Sequence, residues 1–188
     1  MRNLKSIALA LVVALGTLTA TAQTTKKVDA SKSKVLWLAK KVGGQHSGDI
    51  TLKEGALVFN GKKLVGGNFV VDMTTINTTD LQGEWKGKLD GHLKNDDFFA
   101  VEKFPTATLV FKSIGAKSGN TYTVNADLTI KGITAPITFD IVANKGVATT
   151  KLMVDRTKYD IKYASKNFGA LADKAIDDEF ELNVNLKY

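Results

Sequence analysis

Few side chains in this sequence have the types and spacing that catalysis needs. The two histidines are isolated, His46 in Gly44-Gln45-His46-Ser47-Gly48 and His92 in Gly91-His92-Leu93. A metal centre or a nucleophilic relay requires further ligands or a carboxylate at a suitable spacing. Nothing places one at that spacing from either histidine, so both read as surface or capping residues. Asp96-Asp97 and Asp177-Asp178 offer carboxylates in pairs, the raw material of acid–base chemistry. Neighbours on a strand point to opposite faces, and acids at a helix start cap it, so neither pair reads as a working dyad. The absence of cysteine removes thiolate catalysis and Cys-based metal sites. The glycines never fall in the strand, Gly-rich loop, helix order that cradles phosphate. These residues predict no enzyme, no cofactor and no metal.

Charge narrows the partners further. The formal net charge is +7, yet all but two of the 26 basic residues are lysines. One arginine is Arg2, so Arg156 alone remains beyond the leader. Phosphate forks and guanine edges favour arginine, so nucleic acid is not an expected partner. Scattered lysines read as a solvated surface, compatible with transient contact with an anionic membrane surface.

The first 22 residues form a separate unit. Arg2 and Lys5 precede the apolar run Ile7 to Leu18, and Ala20-Thr21-Ala22 supplies a small-x-small cleavage site. This is the pattern of a secretory signal peptide, and the run is shorter than the roughly 20 residues of a membrane-spanning helix. The expectation is a signal peptide over 1–22 and one exported domain over 23–188, periplasmic or extracellular.

That domain alternates with a period of two, so strands must position whatever site exists. Tyr122, Val124, Ala126, Leu128 and Ile130 alternate with polar residues, and Phe180, Leu182, Val184, Leu186 and Tyr188 do so without a slip. Leu109 and Phe111, Ile137, Phe139 and Ile141, and Ala148 to Val154 repeat the pattern. In the first half the inward set is Val35, Trp37 and Ala39, Ile50 and Leu52, Leu57 and Phe59, then Phe69, Val71 and Met73. Turns are expected at Gly43-Gly44, Glu54-Gly55, Asn60-Gly61, Lys131-Gly132 and Asn144-Lys145-Gly146, the chemistry of antiparallel hairpins. One segment departs: Leu81, Trp85, Leu89 and Leu93 recur every four residues, behind a capping box from Thr79 to Gln82. It predicts one amphipathic helix docked by its Leu and Trp stripe. An all-β barrel or sandwich results, and a barrel of about eight strands either fills itself or holds one small ligand.

Several stretches resemble the YceI-like family of lipid- and polyisoprenoid-binding proteins. They are Gly67-Asn68-Phe69-Val70-Val71-Asp72-Met73-Thr74-Thr75-Ile76, His92 to Phe99 running on to Lys103-Phe104-Pro105-Thr106-Ala107, Ala126 to Ile137, Asp155-Arg156-Thr157-Lys158-Tyr159-Asp160-Ile161, and the Phe180 to Leu186 strand. The resemblance implies a lipocalin-like, eight-stranded antiparallel β-barrel with one helix between strands, enclosing an apolar cavity for an isoprenoid or quinone-type lipid. Homodimers occur among such proteins. Two positions differ: Trp37-Leu38-Ala39-Lys40-Lys41 stands where many members carry a histidine, and Asp160 where many carry glycine. These departures bear on headgroup preference. Gly132 suits a tight turn, and Arg156 suits a pairing with a carboxylate or carbonyl at the barrel rim.

Inward strand phases supply the candidate ligand-binding positions: Trp37, Phe69, Val71, Leu109, Phe111, Leu128, Ile130, Phe139, Ile141, Leu152, Val154, Phe180 and Leu182. About half are expected to line the cavity and half to be plain core, with Phe98 and Phe99 packed under the turn after the helix. The leading function is non-catalytic sequestration or transport of the lipid. The alternative is an exported stress or interaction protein with a packed barrel and a basic partner-binding surface, such as Lys40 and Lys41 or Lys62 and Lys63.

Overall fold

Alternating apolar residues separated by two-residue turns can close a sheet on itself, and the computed structural model, which describes residues 22–188, has this form. The expected signal peptide lies outside the described residues except for its last position. The strands are β1 (Gln23–Lys27), β2 (Lys34–Lys41), β3 (Gly44–Asn60), β4 (Lys63–Thr78), β5 (Thr106–Ser118), β6 (Thr121–Ile130), β7 (Ile133–Asn144), β8 (Val147–Asp155) and β9 (Ile176–Lys187). One helix, α1 (Gly83–Lys94), joins β4 to β5. From β2 to β9 each strand pairs antiparallel with the next, and β9 returns to β2, closing an eight-stranded barrel. No helix among the described residues is long and apolar enough to cross a membrane.

The short β1 is an addition to the eight. It pairs with Ala56–Asn60 of β3, whereas β2 pairs with the opposite half, Gly44–Ile50. The two strands therefore lie along different halves of one side of β3, separated by the turn around Ala30–Lys32. The shortest seam joins β7 to β8, which pair only over Ile141–Asn144 and Val147–Thr150. Beyond it the chain turns at Arg156–Tyr159 and buries Tyr159 and Ile161.

Turn chemistry sets most of the register. Lys131 and Gly132 both have positive φ, 51° and 73°, which lets Ile130 pair with Ile133 across a two-residue loop. Glu54-Gly55, expected as a turn, lies instead within β3 at a register shift. Its glycine serves close approach: a Cβ on Gly55 would sit 2.4 Å from the Phe69 ring. Gly67 plays the same part for Phe111, whose ring would lie 2.7 Å from an added Cβ. Small residues on β3 and β4 thus make room for the large aromatics of the interior.

The helix also corrects the sequence reading. Gln82, not Thr79, is its N-cap, without a side-chain bond. Thr79 is still leaving β4, its N–H donating to the Ser47 carbonyl at 2.9 Å, so the capping box does not form. Trp85 is 70% exposed rather than docked. A spacing of four overshoots the helical turn by about 40° per step, so Trp85 lies about 80° around the axis from the buried Leu93. Polar bonds fix the helix as well: Thr78 N–H donates to Asp90 at 2.8 Å, and Lys86 binds both Asn77 and Asp90. Burial pushes the Asp90 carboxyl pKa up, but bonds from Lys86 and Thr78 outweigh it and hold the group below its ordinary value.

Candidate functional site

The inward faces of all eight barrel strands enclose a cavity of about 160 Å³. Trp37 from β2, Phe69 and Val71 from β4, and Leu109 and Phe111 from β5 line one side. Leu128 and Ile130 from β6, Phe139 and Ile141 from β7, Leu152 from β8, and Phe180 and Leu182 from β9 line the other. More than the expected half of the candidate positions therefore reach the cavity. Val154 does not: it is inward and 1% exposed, but lies in the packed core just before the Arg156 turn. The barrel is thus not filled by its own side chains.

Register explains the convergence. Phe69 pairs with Leu109, and Leu109 with Leu128; Trp37 pairs with Leu182, and Leu182 with Leu152. Side chains on one face of an antiparallel sheet stack in such rungs. Phe111 forms an aromatic run with Phe69 at 5.6 Å and Phe139 at 5.8 Å between ring centres.

Several lining residues were not among the candidates. Val35, Ile50, Leu52 and Met73 share the inward phase already visible in their strands. Ile76 falls out of phase with Met73, where the Thr75 hydroxyl donates back to the Asp72 carbonyl. Phe98 and Phe99 follow the helix and are buried as expected, but they also face the cavity. Phe99 packs edge-on to Phe180, and no strand period announces it.

The charged group at the lining is spoken for by the protein itself. Arg156 is 2% exposed and spreads its guanidinium over four carbonyls. Nε donates to Asp177, Nη1 to Ile161 and Tyr163 at 2.8 Å each, and Nη2 to Ile176, with a fifth contact to the Asp178 carboxylate at 3.4 Å. All five N–H donors are used. Burial draws its pKa below the ordinary value, opposed by the charges of Asp178, Asp155 and Asp177. Tyr159 beside it is pushed up to about 12 by burial and the Asp155 charge. The Thr150 hydroxyl donates to the Asp140 carbonyl at 2.6 Å.

The histidines lie off the cavity lining. His46 Nδ1 is 2.9 Å from Asp80, a carboxylate brought in from the far end of β4 that sequence spacing could not reveal. Burial raises the Asp80 pKa, but bonds from the Ser47 N–H and His46 outweigh it, and the net shift is downward. His92 stacks edge-on between Tyr163 and Phe98, with Asp97 at 3.8 Å. No cluster of three His, Asp or Glu suited to a metal occurs among the described residues. The arrangement can enclose an apolar guest, and it aims no paired acid and base at one.

Comparison with known proteins agrees with this architecture. The profile of the YceI-like domain matches residues 27–188. A UPF0312 protein of Shewanella denitrificans is 32% identical over 85 residues, 45% of this chain and 42% of that protein. Protein YceI of Escherichia coli is 36% identical over 66 residues, 35% and 34% of the two chains. These matches thus span less than half the length of the curated relatives. Among solved structures, BcnA of Burkholderia cenocepacia superposes with a TM-score of 0.63 at 22% identity, covering 85% of this chain and 98% of its own. A polyisoprenoid binding domain from Saccharophagus degradans gives 0.57 at 12% identity, covering 85% and 95%. With the matched profile running from the end of β1 to the last residue of the barrel, the chain belongs to the YceI-like domain family.

Proposed function

We propose that this protein is an exported, non-catalytic binding protein that sequesters or carries an isoprenoid or quinone-type lipid inside its barrel. The observation that carries this reading is the cavity lined from all eight strands by aliphatic and aromatic side chains. Burial of a prenyl tail there gains roughly 25 cal/mol per Å² of apolar area, reduced by the lost freedom of the tail. The polyisoprenoid binding domain from S. degradans, which shares the fold, lends support. The leader pattern over 1–22 supports export to the periplasm or beyond.

Size adds a condition. A cavity of about 160 Å³ suits a small apolar guest but falls short of the roughly 300–1,000 Å³ of pockets for larger ligands. A tail of several isoprene units requires lining side chains to move apart. Delivery fits transient contact with an anionic membrane surface: Trp85, Tyr163, Phe168 and Leu171 are exposed apolar side chains, with Lys88 over the Trp85 ring, Lys162 over the Phe168 ring and Tyr163 against His92 of α1. A homodimer is compatible with this reading and is not required for the cavity.

The test is organic extraction of purified protein, residues 23–188, with mass spectrometry of the extract and native mass of the intact complex. A stoichiometric isoprenoid or quinone is the expected result. A protein that is empty and also refuses added isoprenoids overturns the proposal.

A further inference from the structure

Four buried side-chain polar atoms among the described residues lack a hydrogen-bond partner: Trp37 Nε1, Thr78 Oγ1, His92 Nε2 and Ser165 Oγ. Only Trp37 belongs to the cavity lining. It is 7% exposed, and a buried N–H without a partner is a cost that proteins seldom leave standing.

The indole has a built seat. Trp37 pairs with Gly48 of β3, and a Cβ on Gly48 would fall 1.9 Å from the Asn77 carbonyl oxygen of β4, 2.6 Å from indole Cζ2 and 2.7 Å from Cε2. Glycine at this position lets the ring lie against the β3 backbone. Along β2, Val35 and Ala39 flank Trp37 on the same face, and both also line the cavity. The indole therefore has apolar wall to either side along its own strand.

We propose that Trp37 is the polar anchor of the cavity, donating its indole N–H to a neutral acceptor oxygen, such as a ketone, quinone carbonyl, ester or ether, carried by the apolar guest. This inference rests on the lipid-binding reading and narrows it. A carboxylate or phosphate beside this buried indole is disfavoured, because an anion buried without a cation is costly. Arg156, the cation at the lining, has every N–H committed to Asp177, Ile161, Tyr163, Ile176 and Asp178.

The experiment compares geranylacetone with the hydrocarbon that has CH₂ in place of its carbonyl. Affinities are measured by native mass spectrometry for the wild type and Trp37→Phe. Wild-type ¹H–¹⁵N spectra of the indole groups are recorded with each probe. Trp85, 70% exposed, serves as the internal reference. The expected result is a downfield shift of the Trp37 N–H with the ketone alone, an unmoved Trp85, and a roughly 5- to 30-fold fall in the ketone-to-hydrocarbon affinity ratio in Trp37→Phe. If both probes bind the wild type equally and the Trp37 N–H ignores the carbonyl, the anchor is overturned while the cavity remains a lipid site. If neither probe binds, the lipid-binding reading falls and the anchor with it. The wild-type spectra decide the matter even if Trp37→Phe folds poorly.

Discussion

The Arg156 cluster and the cavity beside it are both buried, yet they treat polarity in opposite ways. Around Arg156 a full positive charge is buried and every donor is answered, chiefly by main-chain carbonyls of the loop and of β9. In the cavity the wall is almost wholly aliphatic and aromatic, and its indole N–H is unanswered. The difference separates structure from function. Arg156 sits at the lining and looks, by type alone, like an anion receptor, but its hydrogen-bonding capacity is spent holding the chain together. The apolar wall has made no such commitment and is free to select a guest.

The sharpest way to break this contrast is Arg156→Ala. It strands buried carbonyls and the Asp178 carboxylate, and a loss of about 3–5 kcal/mol in urea unfolding is expected. A loss below about 1 kcal/mol would show that Arg156 does not hold the loop and β9 together, and would make its guanidinium a candidate for the guest. Leu128→Trp probes the other region. It grows into the cavity rather than into filled core, so guest uptake falls roughly tenfold or more while stability drops by less than the ~1–3 kcal/mol of ordinary overpacking. Unchanged uptake in this and similar variants would show that the guest sits elsewhere.

A weaker effect comes from Asp90, which docks α1 through Thr78 and Lys86. Its pKa is depressed on folding, so its contribution is present above its ordinary value of 3.8 and is lost as pH falls through the lower folded value. Stability of the wild type should therefore decline below about pH 4 more steeply than that of Asp90→Asn, measured by urea midpoints across the acid range. The smallest change is expected from Asp160→Gly. Asp160 adopts φ 57°, and its ion pair with Lys162 is exposed. Relief of left-handed backbone strain should leave the thermal midpoint level or slightly raised, by up to about 1 kcal/mol of stability.

Legibility in the sequence followed the range of the forces involved. Alternation in β6 and β9 is local, so Leu128, Ile130, Phe180 and Leu182 could be placed on the inner face from the letters alone. Lys131-Gly132 announced its turn for the same reason. Glu54-Gly55 misled because glycine signals both a turn and a site where a ring presses on the backbone, and only the partner Phe69, far along the chain, decides between them. The bonds of Arg156 to the start of β9 and of His46 to Asp80 likewise depend on long-range strand pairing, β8 with β9 and β3 with β4. Phe98 and Phe99 have no period at all, and their place under α1 follows from where the helix lands.

The short seam between β7 and β8 has a consequence for time rather than for shape. Most of the wall is stitched along the full length of its strands, but here the ladder runs only from Ile141–Asn144 against Val147–Thr150, and the Arg156 turn follows where the stitching stops. Local openings are governed by the free energy of the segment that must part. Amide protons along this seam should therefore exchange with solvent sooner than those of the long β6–β7 ladder. The wall should then breathe first at this join and next at the five-pair seam of β4 with β5.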